Sequence, residues 1–311
     1  MLYTNLHTLP LARLSLGTAP FGGGIAMDDA FRILDAYLDM GGNLLDTAAV
    51  YGFGASEQTI GAWMRERGTR NRVYISTKGG HPALPSWEKR ITEADIRADM
   101  EDSLRRLGTD HVDLYFLHRD DVDRPVSEIM PVLDRLIREG KTRYIGASNW
   151  TVARINEANA FARAEGLTEF SVSQIMWNAA CINREGLYDQ TLVAMDGTEY
   201  AGYAENRMPV MAYTAQAQGL FSLIQKGGYD SLSEVMAATY LNPTTRRRAE
   251  IILSVAAETG LSPTALSLAY LLYDHRVEAL PILGISKVDR LTEAAEAMDL
   301  SEELLTAILS S

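Results

Sequence analysis

Residues 73–118 read VYISTKGGHPALPSWEKRITEADIRADMEDSLRRLGTDHVDLYFLH. Val73–Thr77 and Val112–Leu117 are short apolar runs rich in β-branched and aromatic residues, which is the pattern of strands. Thr92–Leu107 lies between them and reads as a helix. Thr92 precedes an acidic first turn as a capping residue would, and Gly108 stands where a helix stops. Two near-continuous apolar strands joined by a helix imply a parallel pair, because antiparallel neighbours need no helical crossover.

Outward from this unit the alternation repeats. Further strands are expected at Arg13–Leu16, Leu44–Asp46, Tyr144–Ala147, Ser171–Gln174, Val210–Tyr213 and Ala279–Leu283. Helices are expected at Asp28–Met40, Ser56–Arg67, Ser127–Glu139, Thr151–Glu165, Thr244–Thr259, Ser262–Tyr273 and Ser301–Leu309. Ser56 reads as a cap, Ser262-Pro263 as a cap before an N1 proline, and Gly41, Gly68, Gly140, Gly166 and Gly260 as stops. Asn178–Met208 is long and is expected to hold helix plus loop. Eight strand-helix units in 311 residues fit an α/β fold, a closed (β/α)8 TIM barrel forming one domain over residues 1–311. The rival, an open doubly wound sheet, lacks its fingerprint: Gly52-Phe53-Gly54-Ala55-Ser56-Glu57 has glutamate where the third glycine belongs.

Composition narrows the function. Hydrophobic residues make up 47% and charged residues 23%, which is ordinary for a globular chain and excludes disorder. A net charge of −12 repels phosphate backbones, so nucleic acid is not an expected partner. No apolar run is long enough to span a bilayer and no secretory leader is evident, so no membrane partner and a cytoplasmic location are expected. The single cysteine, Cys181, precludes an intrachain disulfide and reads as a small buried residue. The five histidines show no metal-ligand spacing, and no metal is expected.

In a (β/α)8 barrel, chemistry gathers where strands exit into the following loops. Those exits carry Asp46 after the second strand, Lys78 after the third, His118 after the fourth, Ser148-Asn149 after the fifth, Gln174 after the sixth, Tyr213 after the seventh and Gly284 after the eighth. An aspartate, a lysine and a histidine closing three successive apolar strands are hard to explain as packing, since unpaired buried charges cost several kcal/mol each.

The segments Leu45-Asp46-Thr47-Ala48-Ala49-Val50-Tyr51-Gly52, Ile75-Ser76-Thr77-Lys78, Leu114-Tyr115-Phe116-Leu117-His118, Ile145-Gly146-Ala147-Ser148-Asn149 and Gly284-Ile285-Ser286-Lys287 resemble the aldo-keto reductases in order and spacing, over nearly the whole chain. The resemblance implies a TIM-barrel oxidoreductase that reduces an aldehyde or ketone, possibly sugar-like, with NADP(H), and a catalytic tetrad of Asp46, Tyr51, Lys78 and His118. It implies that Ser148, Asn149 and Gln174 hold the nicotinamide carboxamide and that Tyr213 stacks on the ring. Asp46, Gly17, Thr18 and Gly284 are expected along the cofactor, with Ser286, Lys287 and Arg290 around the 2′-phosphate. Two cations there favour NADP over NAD. Ala294 departs from the asparagine common in the family, and Thr214–Phe221 departs from its usual loop.

Tyrosine can donate the proton that a nascent alkoxide needs, but its ordinary pKa is about 10. Bringing it to about 7 takes roughly 4 kcal/mol. An ammonium at about 4 Å and an effective dielectric of about 20 supplies that amount, before the opposing cost of burial. Phe21, Tyr51, Trp87, His118 and Trp177 are expected to line the substrate pocket, with Phe53, Trp150, Arg119, Asp120 and Asn178 as further candidates. No long tail follows the last expected helix, so an open barrel mouth is expected. The partner is then a small carbonyl compound; oligomeric state is not legible. Two other readings stand beside this one. One is a nucleotide-sensing regulatory subunit of the same fold with little turnover. The other is a Schiff-base barrel using Lys78, disfavoured because such a lysine must be neutral and Asp46 favours its charged form.

Overall fold

The computed structural model describes residues 1–300 of the chain. It opens with an antiparallel hairpin, β1 (Tyr3–Leu6) and β2 (Leu9–Ala12). Eight strands follow: β3 (Ser15–Gly17), β4 (Leu44–Asp46), β5 (Tyr74–Gly79), β6 (Val112–Leu117), β7 (Thr142–Ser148), β8 (Val172–Met176), β9 (Val210–Tyr213) and β10 (Ala279–Gly284). All pair in parallel with their sequence neighbours, and β10 pairs with β3 to close the barrel. The expected (β/α)8 barrel is therefore the observed one. β4, β6 and β9 span the residues read from the sequence, and the others differ by at most two residues at either end.

The helices between the strands are α1 (Met27–Asp39), α2 (Ala55–Arg67), α3 (Glu93–Leu107), α4 (Val126–Arg138), α5 (Val152–Glu165), α6 (Gly197–Asn206), α7 (Leu220–Gly227), α8 (Glu234–Tyr240), α9 (Pro243–Thr259), α10 (Pro263–Leu272) and α11 (Val288–Ala295). Their ends obey local chemistry. The Thr92, Thr151 and Ser262 hydroxyls accept the N-terminal backbone N–H groups of α3, α5 and α10. Left-handed Gly68, Gly108, Gly166 and Gly260 end α2, α3, α5 and α9. Ser56 does not cap α2, which starts one residue earlier; its hydroxyl instead joins Thr18 and Thr47 in a buried network. The helix expected at Ser301–Leu309 lies outside the described residues. Asn178–Met208 does hold helix plus loop, with α6 at its far end. Cys181 is exposed rather than buried, because it sits in that loop with only its backbone engaged, by Thr245 and Asn242. Among the described residues no single helix is long and apolar enough to cross a membrane.

The hairpin has no counterpart in the expected elements, because Pro10 weakens its second strand as a signal. Its Leu6, Leu9 and Leu11 pack with Leu44, Leu114, Phe116, Val172, Met211, Leu280 and Ile282. Those barrel residues share one parity along their strands, so they point inward, and the hairpin plugs the end where the strands begin. Leu45, Ile75, Tyr115, Leu117 and Ile145 have the other parity and pack under the helices. Gly146 shows how tight the interior is: a Cβ there would lie 2.3 Å from the Phe116 ring. Carried one step further along each strand, the inward parity falls on Gly17, Asp46, Lys78, His118, Ser148, Gln174, Tyr213 and Gly284.

Candidate active site

Those inward strand ends meet at the open end of the barrel. Lys78, fully buried, donates to Asp46 Oδ2 at 2.7 Å and to the Thr47 carbonyl at 2.8 Å. The other Asp46 oxygen accepts from Ser76 at 3.0 Å and from Gln174 at 2.9 Å. Tyr51 enters from the turn after β4, its hydroxyl 3.4 Å from Lys78 Nζ. That turn is built by left-handed residues at Gly52, Phe53 and Gly54, and a Cβ on Gly54 would lie 2.5 Å from Arg106 Cδ. Glu57, buried in the first turn of α2, anchors the turn to its surroundings by accepting from Thr77 on β5 and Arg106 on α3. His118 meets Tyr51 edge-on, with ring centroids 5.8 Å apart. The four residues expected to form a tetrad are thus brought together by strand parity and one tight turn.

Burial decides the electrostatics. It pulls the Lys78 ammonium down, but Asp46 and then Tyr51 more than offset this, and the net direction is up. Lys78 therefore stays charged. Burial pushes the Tyr51 phenol above its ordinary value, and Lys78 recovers only part of that. The expectation that the ammonium alone acidifies the phenol is corrected on this point: without a further positive charge Tyr51 holds its proton firmly. His118 is driven well below the usual histidine range by burial, with Lys78, Arg119 and His81 acting in the same direction. It is a neutral ring, and its Nδ1 is buried without a partner among the described residues.

Above these groups lies a cavity of about 820 Å³. That is ample for a cofactor-sized ligand, since such sites commonly measure about 300–1,000 Å³. Gly17, Thr18, Asp46, Tyr51, His118, Ser148, Asn149, Gln174, Tyr213, Gly284, Ser286 and Arg290 all line it. Lys287 does not; it is exposed beside it. Gln174 donates an amide N–H to Asp46, and Ser148 Oγ accepts from Asn149; among the described residues Gln174 Oε1 and the Ser148 hydroxyl hydrogen take no partner. These two therefore fit a carboxamide, which both donates and accepts. Asn149 does not offer the same freedom. It donates to the His118 carbonyl and Ser148, and its Oδ1 accepts from Val193 and from Tyr213 at 2.6 Å. Arg290 already pairs with Glu293 at 2.6 Å.

Several expected substrate residues lie elsewhere. Phe21 and Trp150 are fully buried and Trp177 nearly so, packed into the layer between strands and helices; Trp177 meets Tyr200 edge-on at 6.2 Å and Trp150 meets Phe170 at 5.4 Å. The correction has a simple cause: an apolar loop next to a barrel can bury its aromatics backward against the helices. Trp87 is 49% exposed, 5.9 Å from the His81 ring at the cavity rim, whereas Phe53 points to solvent. Asp120 turns to Arg154 and Asn178 to the Thr214 carbonyl. Arg119 does line the cavity, paired to Asp189 at 3.2 Å. Sequence reading missed His81, Tyr188, Leu192 and Lys226, all cavity-lining. His81 alone carried a signal, three residues past Lys78.

A charged lysine, a proton-bearing phenol and a ligand-sized cleft at a barrel mouth are oxidoreductase equipment on a (β/α)8 scaffold. The aldo/keto reductase family model matches residues 13–310. A norsolorinic acid reductase of Aspergillus flavus is 30% identical over 95% of this chain and 76% of its own length. An aryl-alcohol dehydrogenase [NADP(+)] of Phanerodontia chrysosporium is 29% identical over 95% of this chain and 80% of its own. An aldo-keto reductase of Aspergillus calidoustus is 32% identical over 94% and 74%. The chain belongs to the aldo/keto reductase family, and its chemistry is that of an oxidoreductase.

Proposed function

We propose that this protein reduces an aryl aldehyde or ketone to the alcohol with NADPH, Tyr51 giving the proton. The observation that carries the reading is Tyr51 Oη set 3.4 Å from a lysine that Asp46 keeps charged, at the floor of the cleft. NADPH, when bound, supplies the hydride. Ser148 and Gln174 would hold its carboxamide, the Tyr213 ring its nicotinamide face, and Ser286 and Arg290 its 2′-phosphate. His118 is neutral and orients the substrate carbonyl toward Tyr51. Asp46 keeps Lys78 charged, and the Lys78 ammonium stabilises the phenolate left after proton transfer. Burial keeps the proton on Tyr51 until then. The aryl preference is supported by the likeness to the Phanerodontia aryl-alcohol dehydrogenase and by the cavity's Tyr188 and rim Trp87.

The test is loss of NADPH absorbance with a panel of aryl and aliphatic aldehydes. Turnover is expected for the aryl set, and Tyr51→Phe lowers kcat by about a hundredfold or more. Absence of turnover across the panel, or an unaffected Tyr51→Phe protein, removes the reading. Arg290→Ala is expected to lower the preference for NADPH over NADH by about tenfold through Kd, measured by titration; an unchanged ratio removes the phosphate role.

A further inference from the structure

The loop after β5 places a second imidazole in the cavity. His81 Nδ1 lies 2.8 Å from the Pro82 carbonyl oxygen. A carbonyl only accepts, so Nδ1 carries the hydrogen, and in the neutral ring Nε2 is left as a bare acceptor. Nε2 takes no partner among the described residues, yet it is not sealed from the cavity that His81 lines. Burial holds the His81 pKa below its ordinary value, which keeps the ring neutral near neutral pH. The ring stands edge-on against His118, with centroids 5.0 Å apart, and 5.9 Å from the Trp87 ring, so an aromatic ligand that reaches His118 lies within reach of His81 as well. Its position is fixed from below. Gly80 N–H donates to Asp99 at 2.8 Å, and Arg90 donates to the other Asp99 oxygen at 2.7 Å, so both ends of the loop are tied to α3.

We propose that His81 is a specificity-determining residue, whose Nε2 accepts a hydrogen bond from a hydroxyl carried on the aromatic ring of the substrate. This rests on the reductase reading above and narrows its substrates to hydroxylated aryl carbonyls. An acceptor discriminates by what the substrate can donate. A phenolic hydroxyl satisfies Nε2, whereas a methoxy group of similar shape leaves it unpaired and stripped of water.

The experiment compares kcat/KM for ortho-, meta- and para-hydroxybenzaldehyde with the matching methoxybenzaldehydes, in the wild type, His81→Phe and His81→Gln. The wild type is expected to favour the hydroxy compound about tenfold at one ring position, mainly through KM. His81→Phe loses that preference, and His81→Gln, which retains an acceptor, recovers part of it. Binding of phenol relative to anisole, measured directly by calorimetric titration, follows the same order and needs no turnover. No preference in the wild type, or one that survives in His81→Phe, overturns the proposal. A fall in kcat for all compounds alike, with the ratio intact, also overturns it. If no aldehyde is reduced but phenol still outcompetes anisole for binding in the wild type and not in His81→Phe, the subsite stands and the reductase reading falls.

Discussion

His118 holds a different charge in the folded and the unfolded chain once the pH falls below the ordinary histidine range. Its folded pKa lies well below the ordinary value near 6.5, first through burial and then through Lys78, Arg119 and His81. Above pH 6.5 the ring is neutral in both states and costs nothing. Below it the unfolded chain takes up a proton that the folded one refuses, so stability is lost as pH falls toward the folded pKa. By about pH 5.5 this one group should have removed about 1.4 kcal/mol. Denaturant unfolding of His118→Gln at pH 7 and about 5.5 should show an acid loss smaller than the wild type's by that amount; equal losses would mean the ring titrates normally. The aspartate and lysine beside it were legible from their places at strand ends. Their balance with Tyr51 was not, because the cost of burial depends on how much of the barrel covers the phenol, which no residue count reports.

Elements place these residues with little freedom, and the loop after β8 leans on one buried ion pair. Arg119, next to His118, donates to Asp189, to Thr191 Oγ1 at 3.1 Å and to its neighbour's carbonyl at 2.9 Å. Asp189 in turn accepts the backbone and hydroxyl of Thr191. The pair holds Tyr188 and Leu192 over the cavity from a segment that has no strand or helix there. Removing one partner of a buried ion pair costs about 3 kcal/mol. Asp189→Asn is expected to lower stability by that order and to raise the substrate KM several-fold, with a smaller effect on kcat. Steady-state kinetics and thermal unfolding on the same preparation check it, and an unchanged KM would show the loop holds without the pair. None of this could be read beforehand, since Arg119 and Asp189 are 70 residues apart and neither sits in a patterned segment.

Across the whole molecule the two ends of the barrel divide the work. The end where the strands begin is closed by the hairpin and only packs; the end where they finish carries the cleft. Leu9, 1% exposed in the plug, is therefore a stability residue. Leu9→Ala is expected to cost about 2–5 kcal/mol in unfolding free energy and to leave the NADPH Kd unchanged, measured by denaturation and titration. A weakened Kd would show that the plug shapes the cleft. By itself the sequence determined the eight strands, their parallel order and the polar residue that closes six of them. Those follow from alternation, caps and stops, which are written in neighbouring residues. Only the tertiary structure decided that Phe21 and Trp177 turn back into the core, that Asn149 is spent on the protein, that Tyr51 is harder rather than easier to ionise, and that His81 faces the cleft. Each of those depends on which distant side chains occupy the same few ångströms, and on how much water they displace, quantities that local pattern does not carry.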